Sequence, residues 1–270
     1  MDMRVYNQAM VASYSRRSAA ENSAYVLPHL KPDMRILDVG CGPGTITLDL
    51  AAHVPDGSVT GVDVNSDAIE IAREFCKQRG TANASFSVAD INKLPFDDDS
   101  FDVVHAHQVL GHLRGKEGEP GPVWGLREMR RVCKPGGLVC TRDLERSTVV
   151  IYPRADGINE YSALMTKLAD NAGKVMAGGR GREFARRAGF DVGDISASAA
   201  VVTHTNTADR EWWGEMQASR LELGSDLKKG VDLGFVTEDE AARMPKAWRE
   251  WAKADDAFYS AVDGQTVCRK

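Results

Sequence analysis

From residue 20 to residue 140 short apolar runs alternate with helical patterns, and this alternation constrains the fold of the 270-residue chain more than any other feature. The runs at 34–39, 58–64, 84–88, 101–106 and 137–142 are short and bounded by Gly, Pro, Asp or Asn, as strands are. Helical spacing fills 45–53, 68–79 and 123–132; Ser66 is the expected N-cap of the second of these and Gly80 its stop. Upstream, 25–30 closes a helix whose exit is marked by Pro28 and Pro32, and Lys134-Pro135-Gly136-Gly137 reads as a turn. Parallel strands need a crossover, and a right-handed helical crossover covers the face of the sheet. The predicted fold is therefore Rossmann-like α/β, a doubly wound and mostly parallel sheet with a helical lid insertion.

Past Asp143 the pattern changes. Helices are expected at 159–172, 182–188, 209–223, 237–243 and 247–258, a glycine-rich loop at 176–182, and strands at 190–197 and 266–269. This divides the chain into an N-terminal cap region (1–30), a ligand-binding core (31–205), a helical insertion acting as a substrate lid (206–260) and a last core strand (261–270). Trp212, Trp213, Trp248 and Trp251 lie in the lid; packing onto the sheet domain is the plainer reading, lining an apolar substrate pocket the sharper one.

Composition narrows the partners. A net charge of −5 and a pI near 5.7 disfavour a nucleic-acid partner. The basic cluster Arg127, Arg130, Arg131 and Lys134 alternates with Leu126, Met129 and Val132, as the solvated face of an amphipathic helix does. Five cysteines without a CxxC pair indicate neither a disulfide framework nor a zinc site. MDMRVYNQAM has no apolar signal core and no apolar run approaches the roughly 18 residues of a membrane span, so a cytoplasmic protein with reduced thiols is expected.

The segment Ile36–Gly44 (ILDVGCGPG) follows the first strand, where doubly wound sheets bind their ligands. Its glycines, Gly40, Gly42 and Gly44, form GxGxG rather than the dinucleotide GxGxxG, and Asp38 precedes them. A carboxylate beside the loop repels a pyrophosphate and favours a cation. S-adenosylmethionine carries a sulfonium and an ammonium and no phosphate. Asp63 ends the second strand, where an acid binds ribose hydroxyls in nicotinamide and S-adenosylmethionine enzymes alike. Asp90 and Ile91 follow the third strand, an acid for an adenine amino group and an aliphatic chain for the ring.

LDVGCGPG, VTGVDVN, VADINKLPFDDDSFDVV and MRRVCKPGGLV resemble, in order and spacing, the class I S-adenosylmethionine-dependent methyltransferases, above all the ubiquinone/menaquinone-biosynthesis type. The resemblance spans roughly 14–143; no general motif of the class covers 201–270. It implies that Asp38, Gly40, Gly42 and Gly44 cradle the methionine moiety and that Asp63, with Val64 and Asn65, holds the ribose. It further implies that Asp90 and Ile91 take the adenine, that His107 and Gln108 border the transferred methyl, and that Tyr14 and Arg17 cap the carboxylate of the cofactor. A catalytically inactive S-adenosylmethionine-binding protein and a nicotinamide-dependent oxidoreductase are the alternatives.

His105 and His107 share a strand face, but no third ligand follows at zinc spacing, so no metal is expected and His105 reads as a satisfied core histidine. Asp97, Asp98 and Asp99 read as a solvated turn. His112 and Asp143, after the fourth and fifth strands, are the candidate bases, and Arg142 a candidate holder of an anionic substrate group. The fourth strand end, Ala106-His107-Gln108-Val109, lacks the Asn/Asp-Pro-Pro-aromatic element that resembles enzymes acting on nucleobase or glutamine amino groups. The expected acceptor is a small organic molecule: a natural product, a thiol or a quinone-like compound.

Overall fold

In the computed structural model, which describes residues 14–270, seven strands form one mixed sheet. They are β1 (Arg35–Val39), β2 (Ser58–Asp63), β3 (Ala84–Val88), β4 (Phe101–His107), β5 (Cys133–Tyr152), β6 (Ile195–His204) and β7 (Phe258–Arg269). The helices are α1 (Ala19–Asn22), α2 (Thr45–His53), α3 (Ser66–Arg79), α4 (Gly121–Val132), α5 (Asp156–Asn171), α6 (Gly181–Arg187), α7 (Thr207–Leu223), α8 (Asp226–Asp232) and α9 (Glu238–Lys253). The strand order is β3-β2-β1-β4-β5-β7-β6, and β1–β2, β2–β3, β1–β4 and β4–β5 all pair in parallel. The chain winds outward from β1 to β3 on one side and from β4 to β5 on the other. The crevice where ligands bind such sheets therefore opens beyond the ends of β1 and β4.

Two compact units are described. The first comprises Tyr14–Glu145, Val175–Ala200 and Asp263–Lys270. Strand alternation sends Leu37, Val39, Val104, Ala106 and Val139 into a core shared with α4 and α6. Ile36, Val103, Leu138 and Cys140 face a second core with Ala19, Val26, Ile46 and Leu50. Each large aliphatic side chain buried in this way contributes about 1.5–3 kcal/mol. The cap of α3 is Asn65 rather than Ser66: its side chain accepts from the Asp67 N–H, and Gly80 closes the helix in the left-handed region at φ 65°.

The second unit contains Arg146–Lys174 and Val201–Val262 among the described residues. It takes in α5 and the end of β5, which the sequence reading counted with the core. The Trp251 indole donates to the Tyr152 carbonyl at 2.8 Å, and the rings of Tyr161 and Trp248 meet edge-on at 5.1 Å. Trp248 and Trp251 thus bury their rings against segments of their own unit, contacts made across some ninety residues of chain that periodicity does not register. The expected break between 243 and 247 is absent: α9 runs through Pro245, starting from a capping box of Thr237 and Glu240.

Other elements also differ from expectation. Residues 25–30 hold a 3-10 turn, Leu27–His29, instead of the end of a helix. Lys134-Pro135-Gly136-Gly137 does not end a segment but lies within β5, where the pairing jumps from Phe101↔Cys133 to Val103↔Leu138. The turn signal has become a large bulge. The basic face of α4 is committed to neighbours: Arg131 bonds Glu128, Asp98 and the carbonyls of Leu94 and Phe96.

Candidate functional site

The loop after β1 is built from backbone bonds and left-handed glycines. Gly40 and Cys41 both donate to the Val62 carbonyl, at 2.7 and 3.0 Å. Asp63 braces the loop from β2: one oxygen accepts from the Gly42 N–H and the other from the Asn65 N–H, each at 2.9 Å. Gly40, Gly42 and Gly44 have φ of 69°, 54° and 79°, a region that a side chain disfavours. They differ in what fills the space of a missing Cβ. A Cβ on Gly40 would overlap the Val109 side chain, and one on Gly44 would stand 2.7 Å from the Phe86 ring. On Gly42 it would meet only the Tyr14 ring, at 3.9 Å. Two of the glycines serve internal packing, and Gly42 alone leaves its outer face open to a ligand.

Asp38 is 2% exposed, and both of its oxygens are engaged. Oδ2 accepts from the Thr47 hydroxyl at 2.6 Å and Oδ1 from His105 Nδ1 at 2.7 Å. The expectation that this carboxylate touches the methionine moiety is corrected: it is a buried anchor behind the loop. Its charge still disfavours a phosphate there, because a field acts further in a low-dielectric interior than in water. His105 is the satisfied core histidine expected, with Nε2 at 2.9 Å from Ser23 Oγ.

Beyond β2 and β3 the residues present themselves differently. Val64 is 73% exposed and Val88, the register partner of Asp63, is 52% exposed. Asp90 is exposed and accepts from the backbone N–H and the side-chain amide of Asn92 at 2.9 Å. Ile91 points inward, into the core beside Leu113 and Gly125, so it does not offer a face to a flat ring. Val64 and Val88 are the exposed aliphatic side chains at these strand ends.

The ends of β4 and β5 carry the titratable groups. His107 is buried and its Nδ1 has no hydrogen-bond partner; burial first, then the charges of Arg17, His105 and Arg142, holds its imidazole well below the usual range, so it is neutral. Gln108 takes φ 58°, uncommon for a residue with a side chain and a mark of an imposed conformation. Its N–H donates to the Arg142 carbonyl at 2.7 Å, and its side-chain oxygen accepts from Leu144 N–H at 3.2 Å. Arg142 is no free anion holder, which corrects that expectation: it is buried, with Nε on Asp263 at 2.9 Å and Nη1 on the Glu21 carbonyl at 2.7 Å.

Asp143 is buried as well. One oxygen accepts from the Gly111 N–H at 3.2 Å, and the other has no partner. Burial pushes its carboxyl up to about 7 against the pull of that N–H, and the charge of Asp263 adds to the rise. His112 ends the 3-10 turn Leu110–His112 and is exposed. Above Gly42 the Arg17 guanidinium lies 4.4 Å from the centroid of the Tyr14 ring, with no carboxylate bonded to it among the described residues.

An open face at Gly42, a half-buried guanidinium with no carboxylate bonded to it among the described residues, an acid at the end of β2 and exposed aliphatic side chains beside it fit an aminoacyl nucleoside. A pyrophosphate would meet the buried charge of Asp38 instead.

The chain belongs to the methyltransferase-domain family, which it matches over residues 30–200. It is 30% identical over 264 residues to an uncharacterised methyltransferase of Schizosaccharomyces pombe, covering 96% of this chain and 92% of that one. A demethylmenaquinone methyltransferase of Lactococcus lactis is 37% identical over 123 residues, 45% of this chain and 46% of the relative. Among solved structures, phosphoethanolamine N-methyltransferase 2 of Haemonchus contortus in complex with S-adenosyl-L-methionine has the same fold, with a TM-score of 0.53, 20% identity, and coverage of 91% of this chain and 51% of that one. The protein is a class I S-adenosylmethionine-dependent methyltransferase, and the nicotinamide alternative falls away.

Proposed function

We propose that the enzyme methylates a protic group, a thiol or a hydroxyl, on a small organic acceptor, with Asp143 as general base. The single observation that carries this reading is the buried Asp143 carboxyl, one oxygen unclaimed, poised at about 7. A neutral amine can attack a methyl carbon without losing a proton first, whereas a thiol or phenol gains from a base poised near the working pH. When bound, S-adenosylmethionine supplies a methyl carbon activated by a sulfonium. The free oxygen of Asp143 takes the proton of the acceptor, and the exposed His112 is the second candidate for that role.

Arg17 and Tyr14 hold the aminoacyl end of the cofactor over Gly42, and the carboxylate there forms a charge-assisted hydrogen bond with the guanidinium. Gly40 and Gly44 keep the loop in shape, with Asp38 anchoring it from below. Asp63 and Asn65 take the ribose, Val64 and Val88 flank the adenine with Asp90 at its amino group, and Ile91 supports this wall from the core. His107 and Gln108 border the methyl, where alignment and exclusion of water can supply about 7–11 kcal/mol of the barrier.

Incubation with S-adenosylmethionine and a panel of thiols, phenols and amines, read by mass spectrometry, tests the proposal. Methylated thiols or phenols are expected. Amine products alone would overturn the role of Asp143, and cofactor binding without any product would point to a binding protein that has lost catalysis.

A further inference from the structure

Ser23, His105, Asp38 and Thr47 form an unbroken buried chain of hydrogen bonds. The links measure 2.9 Å from Ser23 Oγ to His105 Nε2, 2.7 Å from His105 Nδ1 to Asp38 Oδ1, and 2.6 Å from Thr47 Oγ1 to Asp38 Oδ2. A carboxylate only accepts, so His105 Nδ1 donates to Asp38, and Ser23 Oγ continues the chain at Nε2. Serine, histidine and aspartate stand in the order of a hydrolytic triad. Ser23 and His105 are both 0% exposed, however, so no substrate reaches the hydroxyl and nucleophilic catalysis is excluded.

The two ends of the chain show what it joins. Asp38 is the next-to-last residue of β1, before the loop, and Thr47 sits in the first turn of α2 just after it, so their bond closes the base of the loop. Ser23 caps α1, the helix that follows Tyr14 and Arg17. Two further polar bonds fasten α1 to the same region: Ala19 N–H to Asp49 on α2 at 3.0 Å, and Arg142 to the Glu21 carbonyl at 2.7 Å. Such bonds weaken steeply with distance and angle, so a small shift at the loop reaches the segment as made or broken contacts.

We infer that His105 is a positioning residue that couples the loop to the segment 14–23, so that filling the loop and ordering the segment are one event. The inference rests on the cofactor site proposed above. A ligand that settles the loop settles Asp38 and Thr47, His105 transmits this to Ser23, and Tyr14 and Arg17 close over Gly42. By linkage the coupling acts in both directions.

Titration calorimetry with S-adenosylhomocysteine and hydrogen exchange of residues 14–23, with and without that ligand, test the coupling. In the wild-type protein the ligand should slow exchange across the segment. In Ser23→Ala this slowing should be lost, the Kd should rise about tenfold, and the KM for S-adenosylmethionine should rise more than kcat falls. Ser23→Cys, a weaker donor of similar size, should show an intermediate loss, and Ser23→Thr should restore the ligand-dependent protection. Val26→Ala loosens the core that Val26 shares with Ala19 of the segment; it should lower Tm yet keep the ligand-dependent protection. If the serine variants lower Tm but match the wild type in Kd and in ligand-dependent protection, the chain is structural only and the inference is overturned. Absence of S-adenosylhomocysteine binding by the wild-type protein would overturn the cofactor site itself, and the coupling with it.

Discussion

At the ends of β1 and β2 every oxygen of Asp38 and Asp63 accepts a hydrogen bond from the protein, whereas at the ends of β4 and β5 His107 Nδ1 and one oxygen of Asp143 are buried without a partner. An unsatisfied buried polar atom costs about 1–3 kcal/mol, so the second region carries a burden that the first does not. Under the proposed function, the contrast separates a holding surface from a reacting one. The β4–β5 side keeps polar atoms uncommitted, and one of them belongs to a carboxyl poised to exchange a proton near neutrality.

Asp143→Asn should break the reacting side alone. Turnover should fall by about 10²–10⁴, the range of a general base, while calorimetry shows S-adenosylhomocysteine affinity near that of the wild type. Wild-type turnover should rise with pH through about 7, and this limb should vanish in the variant. Stability carries the opposite sign. Because the folded state raises this carboxyl, the stability it confers is present below the ordinary carboxylate range and lost as pH rises through about 7. Denaturation midpoints of the two proteins should therefore meet in acid, diverge between the ordinary carboxylate range and about pH 7 with the variant the higher, and keep a constant gap above that; a gap that does not change between acid and pH 7 would show that Asp143 does not titrate there.

Gly40→Ala and Gly42→Ala should sharpen the holding side. Both force a side chain into the left-handed region, at about 1–2 kcal/mol. Gly40→Ala must also displace Val109, adding about 1–3 kcal/mol, so urea denaturation should rank it as clearly the more destabilised. Gly42→Ala should instead lose more S-adenosylhomocysteine affinity than stability. The reverse ranking would refute the division of labour among these glycines. Asp63→Ala should weaken the same ligand by about 1.5–3 kcal/mol, and unchanged calorimetric affinity would remove it from the ribose site. The smallest effect is expected from His112→Ala: cofactor binding intact and turnover down by less than about tenfold, well short of the loss expected of a principal base. Full activity between about pH 6 and 9 would take this exposed residue off the catalytic list.

How legible the site was depended on whether a role is set by local spacing. The position of the loop glycines, Asp63 and Asp90 was legible because a strand followed by a tight turn places them at an end of the sheet whatever lies elsewhere. Arg142 was assigned a free guanidinium because the sequence does not reveal that Asp263, some 120 residues later, lies beside it. Asp38 was set against the ligand because Thr47 and His105, its actual partners, are neighbours only after folding. The inward turn of Ile91 was hidden for a similar reason: its packing against Leu113 and Gly125 brings together residues distant in the chain.

By itself the sequence determined the alternation of strands and helices, hence the parallel sheet and its binding crevice, and the chemistry of the cofactor that the crevice accepts. These follow from periodicities of a few residues and from charges within one strand end. Tertiary structure decided which polar groups are spent on one another and which are left to react. It made Asp38 an anchor, Arg142 half of a buried ion pair, and Asp143 a carboxyl at about 7. Burial and ion pairing are set by residues remote in the chain, and only the folded arrangement brings those together.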